Sequence, residues 1–187
     1  MRVIAGTLGG RRLKAPSGRG TRPTSDRVRE ALFSMLGELD GERVLDLFAG
    51  TGALGIEALS RGAGAAVFVE RDSAAAGVLS ENLSTLGIDP RDARVLRADA
   101  LDALRSALQS QETYDLIFID PPYSQTDEWG SKLSEVLPGL LAPNGRIVVE
   151  FDRRAPLELD LPVFRERRYG DTSITIHTSI CPDPQAL

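Results

Sequence analysis

From Gly41 onward, short apolar runs alternate with stretches in which apolar residues recur every three or four positions. That alternation predicts strands separated by amphipathic helices, and therefore a mostly parallel sheet. The strands fall at Arg43–Leu47, Ala66–Glu70, Ala93–Ala98, Tyr114–Asp120 and Arg146–Glu150, with helices at about 53–61, 73–86, 100–109 and 127–140. After Phe151 the rhythm changes. Val163–Tyr169 and Thr172–Thr178 flank Gly170-Asp171, a two-residue turn suited to a hairpin that would set an antiparallel strand at one side of the sheet.

At the other end, Arg2–Ala5 and Arg11–Lys14 flank a Gly-containing turn, Gly6–Gly10, and predict a short hairpin. Pro16–Gly20 reads as a linker. Pro23-Thr24-Ser25-Asp26 reads as a helix start with Thr24 a candidate N-cap, and the helix would run to about Gly37. It would bury Val28, Ala31, Leu32, Met35 and Leu36. The expected organisation is a hairpin extension and linker over residues 1–20 and a single domain over 21–187.

Composition adds exclusions. The chain has 187 residues, one Cys and one His. Cys181 has no second Cys to pair with, so a disulfide framework and a zinc cluster are excluded and a reducing compartment is the simplest expectation. No apolar run approaches a membrane span, and the polar, basic start lacks a secretory apolar region, so the expected location is cytoplasmic. His177 is expected at a surface or sheet edge, and Trp129 as a packing residue.

Charge is uneven. Residues 1–29 carry eight cations against Asp26 alone, a net +7, which leaves −12 for the remainder of a chain with a formal charge of −5. A basic arm on an acidic body is the footprint of a polyanion partner, because nucleic-acid affinity rests largely on Lys and Arg neutralising phosphates. On this reading residues 1–20 are separable, and their removal should leave the remainder folded and able to bind a small cofactor.

Between the first strand and its helix lies Asp46-Leu47-Phe48-Ala49-Gly50-Thr51-Gly52-Ala53-Leu54-Gly55. Gly50, Gly52 and Gly55 fit G-x-G-x-x-G, a tight turn that lets a cofactor approach the backbone, a need shared by dinucleotide and S-adenosyl ligands. Glu70, at the end of the second strand, is placed to accept hydrogen bonds from ribose hydroxyls. Asp46 separates the two ligand types. A carboxylate beside the loop is a poor neighbour for a pyrophosphate, whereas S-adenosylmethionine has no phosphate and carries an amino group and a sulfonium.

Asp120-Pro121-Pro122-Tyr123 follows the apolar strand Tyr114–Ile119. Adjacent prolines stiffen the chain and remove two backbone donors, leaving carbonyl acceptors. Such a segment can hold a planar base that bears an exocyclic amine: Tyr123 stacks on the ring while Asp120 and the Pro121 carbonyl accept the two N–H bonds. Acceptors outside the ring plane favour a tetrahedral nitrogen whose lone pair is free to attack, and they stabilise its developing positive charge.

The set Asp46–Gly52, Glu70, Asp99 and Asp120–Tyr123 resembles the class I S-adenosylmethionine-dependent methyltransferases of the amino-methylating kind. Met1–Gly6, Gly10–Leu13, Thr21–Phe33 and Tyr169–Thr172 resemble, more narrowly, the bacterial 16S ribosomal RNA guanine-N2 methyltransferase family, methyltransferase D. The resemblance implies a Rossmann-like, seven-stranded, mostly parallel sheet flanked by helices, an antiparallel C-terminal hairpin strand and an N-terminal β-hairpin extension. It implies methyl transfer to the N2 amine of a guanine in 16S rRNA, within the assembled small subunit, by a monomer that uses no metal and no membrane, with S-adenosyl-L-homocysteine as product.

Residue by residue, the resemblance places Asp46, Phe48, Ala49, Gly50, Thr51 and Gly52 along the methionine end of the cofactor and Glu70 on the ribose. It adds Arg71 to the cofactor set, Asp99 on the adenine amino group, and the Ala100 amide near a ring nitrogen. Asp120, Pro121 and Tyr123 form the reacting site, with Asp120 also near the cofactor. Arg2, Arg11, Arg12, Lys14, Arg22, Arg27 and Arg29 are the candidates for gripping RNA, although Arg27 and Arg29 point to different helix faces, so at least one should be structural. Ser34 departs from the family, whose helix has Asn there.

Three other readings compete. A nicotinamide oxidoreductase shares the Gly loop and Glu70 but leaves Asp120–Tyr123 unexplained. A noncatalytic RNA-binding assembly factor sits poorly with an intact reacting motif. DNA adenine or protein glutamine methylation uses similar proline motifs; the basic arm favours nucleic acid over protein, and only the family resemblance favours RNA guanine over DNA adenine.

Overall fold

The computed structural model describes residues 1–15, 25–121 and 126–178. The expectations for Thr24, Arg22, Pro122, Tyr123, Cys181 and the linker at 16–20 fall outside them. Two compact units divide the chain, Met1–Ala100 and Leu101–Leu187.

In the first unit, helix α1 spans Asp26–Leu36. Its N-cap is Ser25 rather than the expected Thr24, with the Ser25 hydroxyl accepting from the Val28 amide at 3.3 Å, and it stops at Gly37, where φ is +79°. The buried face is Val28, Arg29, Leu32, Phe33 and Leu36; Ala31 and Met35 are only half-buried. The face is turned toward Phe33, which removes far more apolar area from water than Ala31 could. The Arg61 guanidinium lies 4.8 Å from the Phe33 ring centroid. This corrects one expectation: Arg29 has no exposure, and its Nη2 donates to the Arg2 carbonyl at 2.6 Å and to Asp26 Oδ1 at 2.8 Å. A side chain held inside by these bonds does not face a phosphate.

Strands β1 (Arg43–Leu47), β2 (Ala65–Val69) and β3 (Ala93–Leu96) pair in parallel in the order β3-β2-β1. Four consecutive residues of β1 and of β2 are buried, as expected of strands covered on both faces. Helices α2 (Ala53–Ser60) and α3 (Ser73–Leu86) connect them. Helix α3 begins at Asp72, whose carboxylate accepts from the Ala75 amide at 2.8 Å, and ends at Gly87 in the left-handed region.

The N-terminal residues form the expected hairpin, bridged at Arg2 and Arg12. It is built into the unit. Val3 and Leu13 are core residues. The buried Glu57 carboxylate of α2 accepts from the Ile4 and Ala5 amides at 2.7 and 3.0 Å and pairs with Arg61 at 2.6 Å. Ser60 Oγ accepts from the Leu8 amide at 2.9 Å and donates to the Ala5 carbonyl at 2.5 Å. Helix α3 holds the second half: Arg11 donates to the Thr85 carbonyl at 3.0 Å, Lys14 pairs with Glu81, and Asn82 bonds the Lys14 backbone. The reading of this segment as separable is therefore corrected, because removing it would uncover Glu57, Ser60 and Asn82 together.

In the second unit, α4 (Ala100–Gln109, its first residue in the preceding unit) leads to β4 (Tyr114–Ile119), α5 (Thr126–Val136), a 3-10 turn (Leu137–Leu140), β5 (Leu141–Asp152), β6 (Val163–Tyr169) and β7 (Thr172–Thr178). The strand order is β4-β5-β7-β6. Strands β4 and β5 are parallel, and β7 runs antiparallel to both of its neighbours.

Several boundaries shift by one or two residues from the sequence pattern, and two differ by more. The helix read at 127–140 ends at Val136, because Pro138 cannot continue it and the chain tightens into the 3-10 turn. Strand β5 starts at Leu141, and its register with β4 jumps from Tyr114↔Leu141 to Leu116↔Arg146, looping out residues around Pro143 and Asn144, the latter at φ +63°. His177 is buried within β7, with Nδ1 3.1 Å from the Leu161 carbonyl and Nε2 3.0 Å from Thr175 Oγ1, not at a surface or edge. Trp129 is buried in α5. Among the described residues the fold is α/β with seven strands, mostly parallel, ending in an antiparallel hairpin.

Candidate functional site

The carboxyl ends of β1, β2 and β3 carry the first group of candidates. Phe48, Gly50 and Gly52 adopt φ of +67°, +56° and +84°. A bulky residue such as Phe48 in the left-handed region is uncommon and marks a backbone held by its surroundings. The Ala49 amide donates to the Val69 carbonyl at 2.9 Å and the Gly52 amide to the Ala49 carbonyl at 2.8 Å, so the turn is closed on itself and tied to β2.

The three glycines do different work. At Gly52 a Cβ would lie 2.3 Å from Leu79 Cδ1, and at Gly55 it would lie 2.3 Å from the Phe68 ring, so both allow α2 to sit close to its neighbours. At Gly50 a Cβ would meet nothing within 4 Å. The first glycine thus gives the turn its handedness and leaves its backbone approachable.

Glu70 borders that approach. Its Oε2 accepts from the Gly50 amide at 2.8 Å and its Oε1 from the Asp72 amide at 2.7 Å. Each carboxylate oxygen has further lone-pair capacity, so these bonds fix the side chain without exhausting it. A preorganised carboxylate beside an open glycine backbone suits the hydroxyls of a ribose, and the residues present fit a nucleoside cofactor.

Asp46 is buried at the end of β1 and accepts from the Gly55 amide at 2.8 Å. Burial pushes its carboxyl up to about 7; the Gly55 bond opposes the shift and the negative charge of Glu70 adds to it. A cation brought to this end of the strand would reverse that balance and favour the ionised form. Arg71 and Asp99, beyond β2 and β3, form a loose ion pair at 3.9 Å, with Arg71 largely exposed. Ala100 is buried at the first position of α4.

In the second unit, β4 is almost wholly buried and delivers Asp120, half-buried, and Pro121, buried, at its carboxyl end. Tyr123 lies outside the described residues. Of the basic candidates, Arg2, Arg11, Arg12, Lys14 and Arg27 are at least partly exposed, and Arg29 is interior. Among the described residues no cluster of His, Cys, Asp or Glu is suited to a metal, and no helix is long and apolar enough to cross a membrane.

Sequence reasoning missed Glu57, Ser60 and Asn82. Asn82 carried a readable signal, since it falls on the buried stripe of α3 with Ala76, Leu79, Leu83 and Leu86, and a polar residue on such a stripe has partners to satisfy. Glu57 and Ser60 lie in a helix buried on most sides, where no stripe singles them out.

Comparison with known proteins places this geometry in context. The family described as conserved hypothetical protein 95 matches residues 1–178. The chain is 44% identical over 186 residues to the Bacillus subtilis (strain 168) protein YlbH, covering 95% of this chain and 98% of that protein. It is 39% identical over 160 residues to ribosomal RNA small subunit methyltransferase D of Haemophilus influenzae, covering 84% and 81% of the two chains. Among solved structures, a hypothetical protein of Thermus thermophilus superposes with a TM-score of 0.81 at 32% identity, over 95% of this chain and 98% of that one.

Proposed function

Because the chain belongs to the family described as conserved hypothetical protein 95, and to the methyltransferases related to ribosomal RNA small subunit methyltransferase D, we propose that it methylates the N2 amine of a guanine in 16S rRNA, using S-adenosylmethionine. The observation that carries this reading is the 39% identity to the Haemophilus influenzae enzyme, whose name places its activity on small-subunit rRNA. The Gly50–Glu70 geometry supports the cofactor half.

When bound, S-adenosylmethionine supplies an electrophilic methyl group on a sulfonium. Glu70 would receive the ribose hydroxyls, the turn from Phe48 through Ala49, Gly50 and Thr51 to Gly52 would line the methionine end, and ionised Asp46 would face its positive charge. Arg71, Asp99 and the Ala100 amide serve the adenine side. Tyr123 stacks on the guanine, while Asp120 and the Pro121 carbonyl accept hydrogen bonds from the two N2 N–H groups. An N2 amine held in this way would present its lone pair to the methyl group that the cofactor would supply. Asp120 would stabilise the positive charge that develops on N2, and one N2 proton would then pass to water.

Arg2, Arg11, Arg12, Lys14, Arg22 and Arg27 meet rRNA phosphates, which set position while the base pocket sets chemistry. The 1–20 hairpin and linker form the RNA-facing extension of one methyltransferase domain over 21–187, acting as a monomer in the cytoplasm on the assembled small subunit.

The test is methyl transfer from labelled S-adenosylmethionine to small subunits taken from a strain lacking this protein, followed by nucleoside mass spectrometry. Label in N2-methylguanosine is expected. Label in another nucleoside, or transfer only to DNA, would overturn the guanine assignment.

A further inference from the structure

Asn82 is buried in α3 and makes three hydrogen bonds, none of them within its own helix. Its Oδ1 accepts from the Lys14 amide at 2.8 Å. Its Nδ2 donates to the Lys14 carbonyl at 3.2 Å and to the Thr51 carbonyl at 3.1 Å. The first two bonds treat Lys14 as a neighbouring strand would, holding the end of the hairpin. The third reaches the middle of the turn between Gly50 and Gly52. One amide therefore joins the RNA-facing hairpin to the cofactor-facing turn, in a buried setting where losing any of these bonds leaves a polar group unpaired.

We propose that Asn82 is a positioning residue that couples the seating of the N-terminal hairpin to affinity for the S-adenosyl cofactor. The inference rests on the reading of residues 48–52 as the cofactor turn. The hairpin is also anchored by Glu57 and Ser60 of α2 and by Arg29 of α1, and among the described residues it is the seat at Asn82 whose hydrogen bonds reach the turn. Any force that lifts or settles the hairpin, RNA contact included, is then transmitted to Thr51. Linkage requires the reverse as well: a bound cofactor that fixes Thr51 helps to seat the hairpin.

A double-mutant cycle in the full chain tests this. Gly6, at φ +81°, would place a Cβ 1.8 Å from the Ser60 carbonyl oxygen, so Gly6→Ala lifts the hairpin turn from α2 without touching Asn82 or the glycine turn. Calorimetric affinity for S-adenosylhomocysteine is expected to fall about tenfold in Asn82→Ala and several-fold in Gly6→Ala, with the double variant no more than about twofold weaker than Asn82→Ala alone. KM for S-adenosylmethionine should rise with Asn82→Ala while kcat at saturating cofactor stays within about twofold, a split that general destabilisation would not give. Unchanged affinity in Gly6→Ala, or effects that multiply in the double variant, would overturn the coupling.

If Asn82→Ala does not fold, Asn82→Asp keeps the acceptor for the Lys14 amide while removing both donated bonds, and the same comparison applies. A wild-type chain that binds no S-adenosylhomocysteine would sink the methyltransferase reading. The coupling is then decided by amide exchange at Gly50 and Gly52, which should quicken in Gly6→Ala if the hairpin holds the turn and stay unchanged if it does not.

Discussion

The Asp46 carboxylate sits 2.8 Å from the Gly55 amide, so the end of β1 reaches across and caps the first turn of α2 with a group that burial keeps close to neutrality. The cap works in either protonation state, since Oδ2 accepts in both. What changes with pH is the charge beside the glycine turn.

That charge gives the first prediction. A carboxyl whose folded pKa is raised from 3.8 to about 7 binds its proton more tightly in the folded state. Its contribution to stability is therefore greatest at low pH, declines as pH rises from about 4, and levels off above about 7. Asp46→Asn removes this decline, so the gain in Tm of the variant over wild type should be larger at pH 8 than at pH 5. Cofactor affinity should run the opposite way, rising in wild type between pH 6 and 8 as a cationic ligand draws off the proton, and staying flat and weak in the variant. Thermal melts and calorimetry over this range check both slopes; parallel curves for the two proteins would refute them.

A second prediction concerns Glu70, which holds the Gly50 and Asp72 amides together. Glu70→Ala should weaken S-adenosylmethionine binding by about 1.5 to 3 kcal/mol, the range for hydrogen bonds to a charged group. Glu70→Gln keeps one acceptor oxygen and should lose less. Equal affinity in calorimetry for wild type and Glu70→Ala would remove the ribose assignment.

Asp120 separates binding from chemistry. Its replacement by Ala should slow single-turnover methylation at saturating cofactor by at least about a hundredfold, the scale of a positioned electrostatic group. Rates within a few-fold of wild type would mean that the prolines and Tyr123 orient the amine unaided.

Deleting residues 1–20 should lower thermal stability markedly, because it strips partners from Glu57, Ser60 and Asn82 and removes the core side chains Val3 and Leu13, whose burial is worth about 1.5 to 3 kcal/mol each. Arg11→Ala with Arg12→Ala should behave differently. Both side chains are exposed, so the fold should persist while affinity for small subunits falls and its salt dependence flattens, as fewer counterions are released. A truncated chain that melts like wild type would contradict the docking, and an unchanged salt slope would move the RNA surface away from the hairpin.

Strand and helix positions were largely legible because apolar periodicity reports burial, and burial organises both units. The failures are local. Pro138 ends α5 early, and Pro143-Asn144 bulges out of β5, both readable in principle from proline's missing donor. The basic segment was legible as charge, but charge does not separate Arg27, which is partly exposed, from Arg29, which is interior. The glycine turn and Glu70 were legible as a motif. The Asn82 link was not, because it joins residues 31 and 68 positions apart that meet only after folding.

The docked hairpin also fixes an order of events in folding. Its partners on α2 and α3 lie 52 to 74 residues downstream. Ile4, Ala5 and Leu8 must wait until the chain through Ser60 has been synthesised, and Arg11 and Lys14 until it passes Thr85, and closing loops of that length is slow relative to forming α2 or α3. The seating of Lys14 is accordingly a later step than that of Ile4 and Ala5. A nascent chain paused before Asn82 can seat Ile4 and Ala5 on α2, while Arg11 and Lys14 stay loose and cationic until α3 is complete.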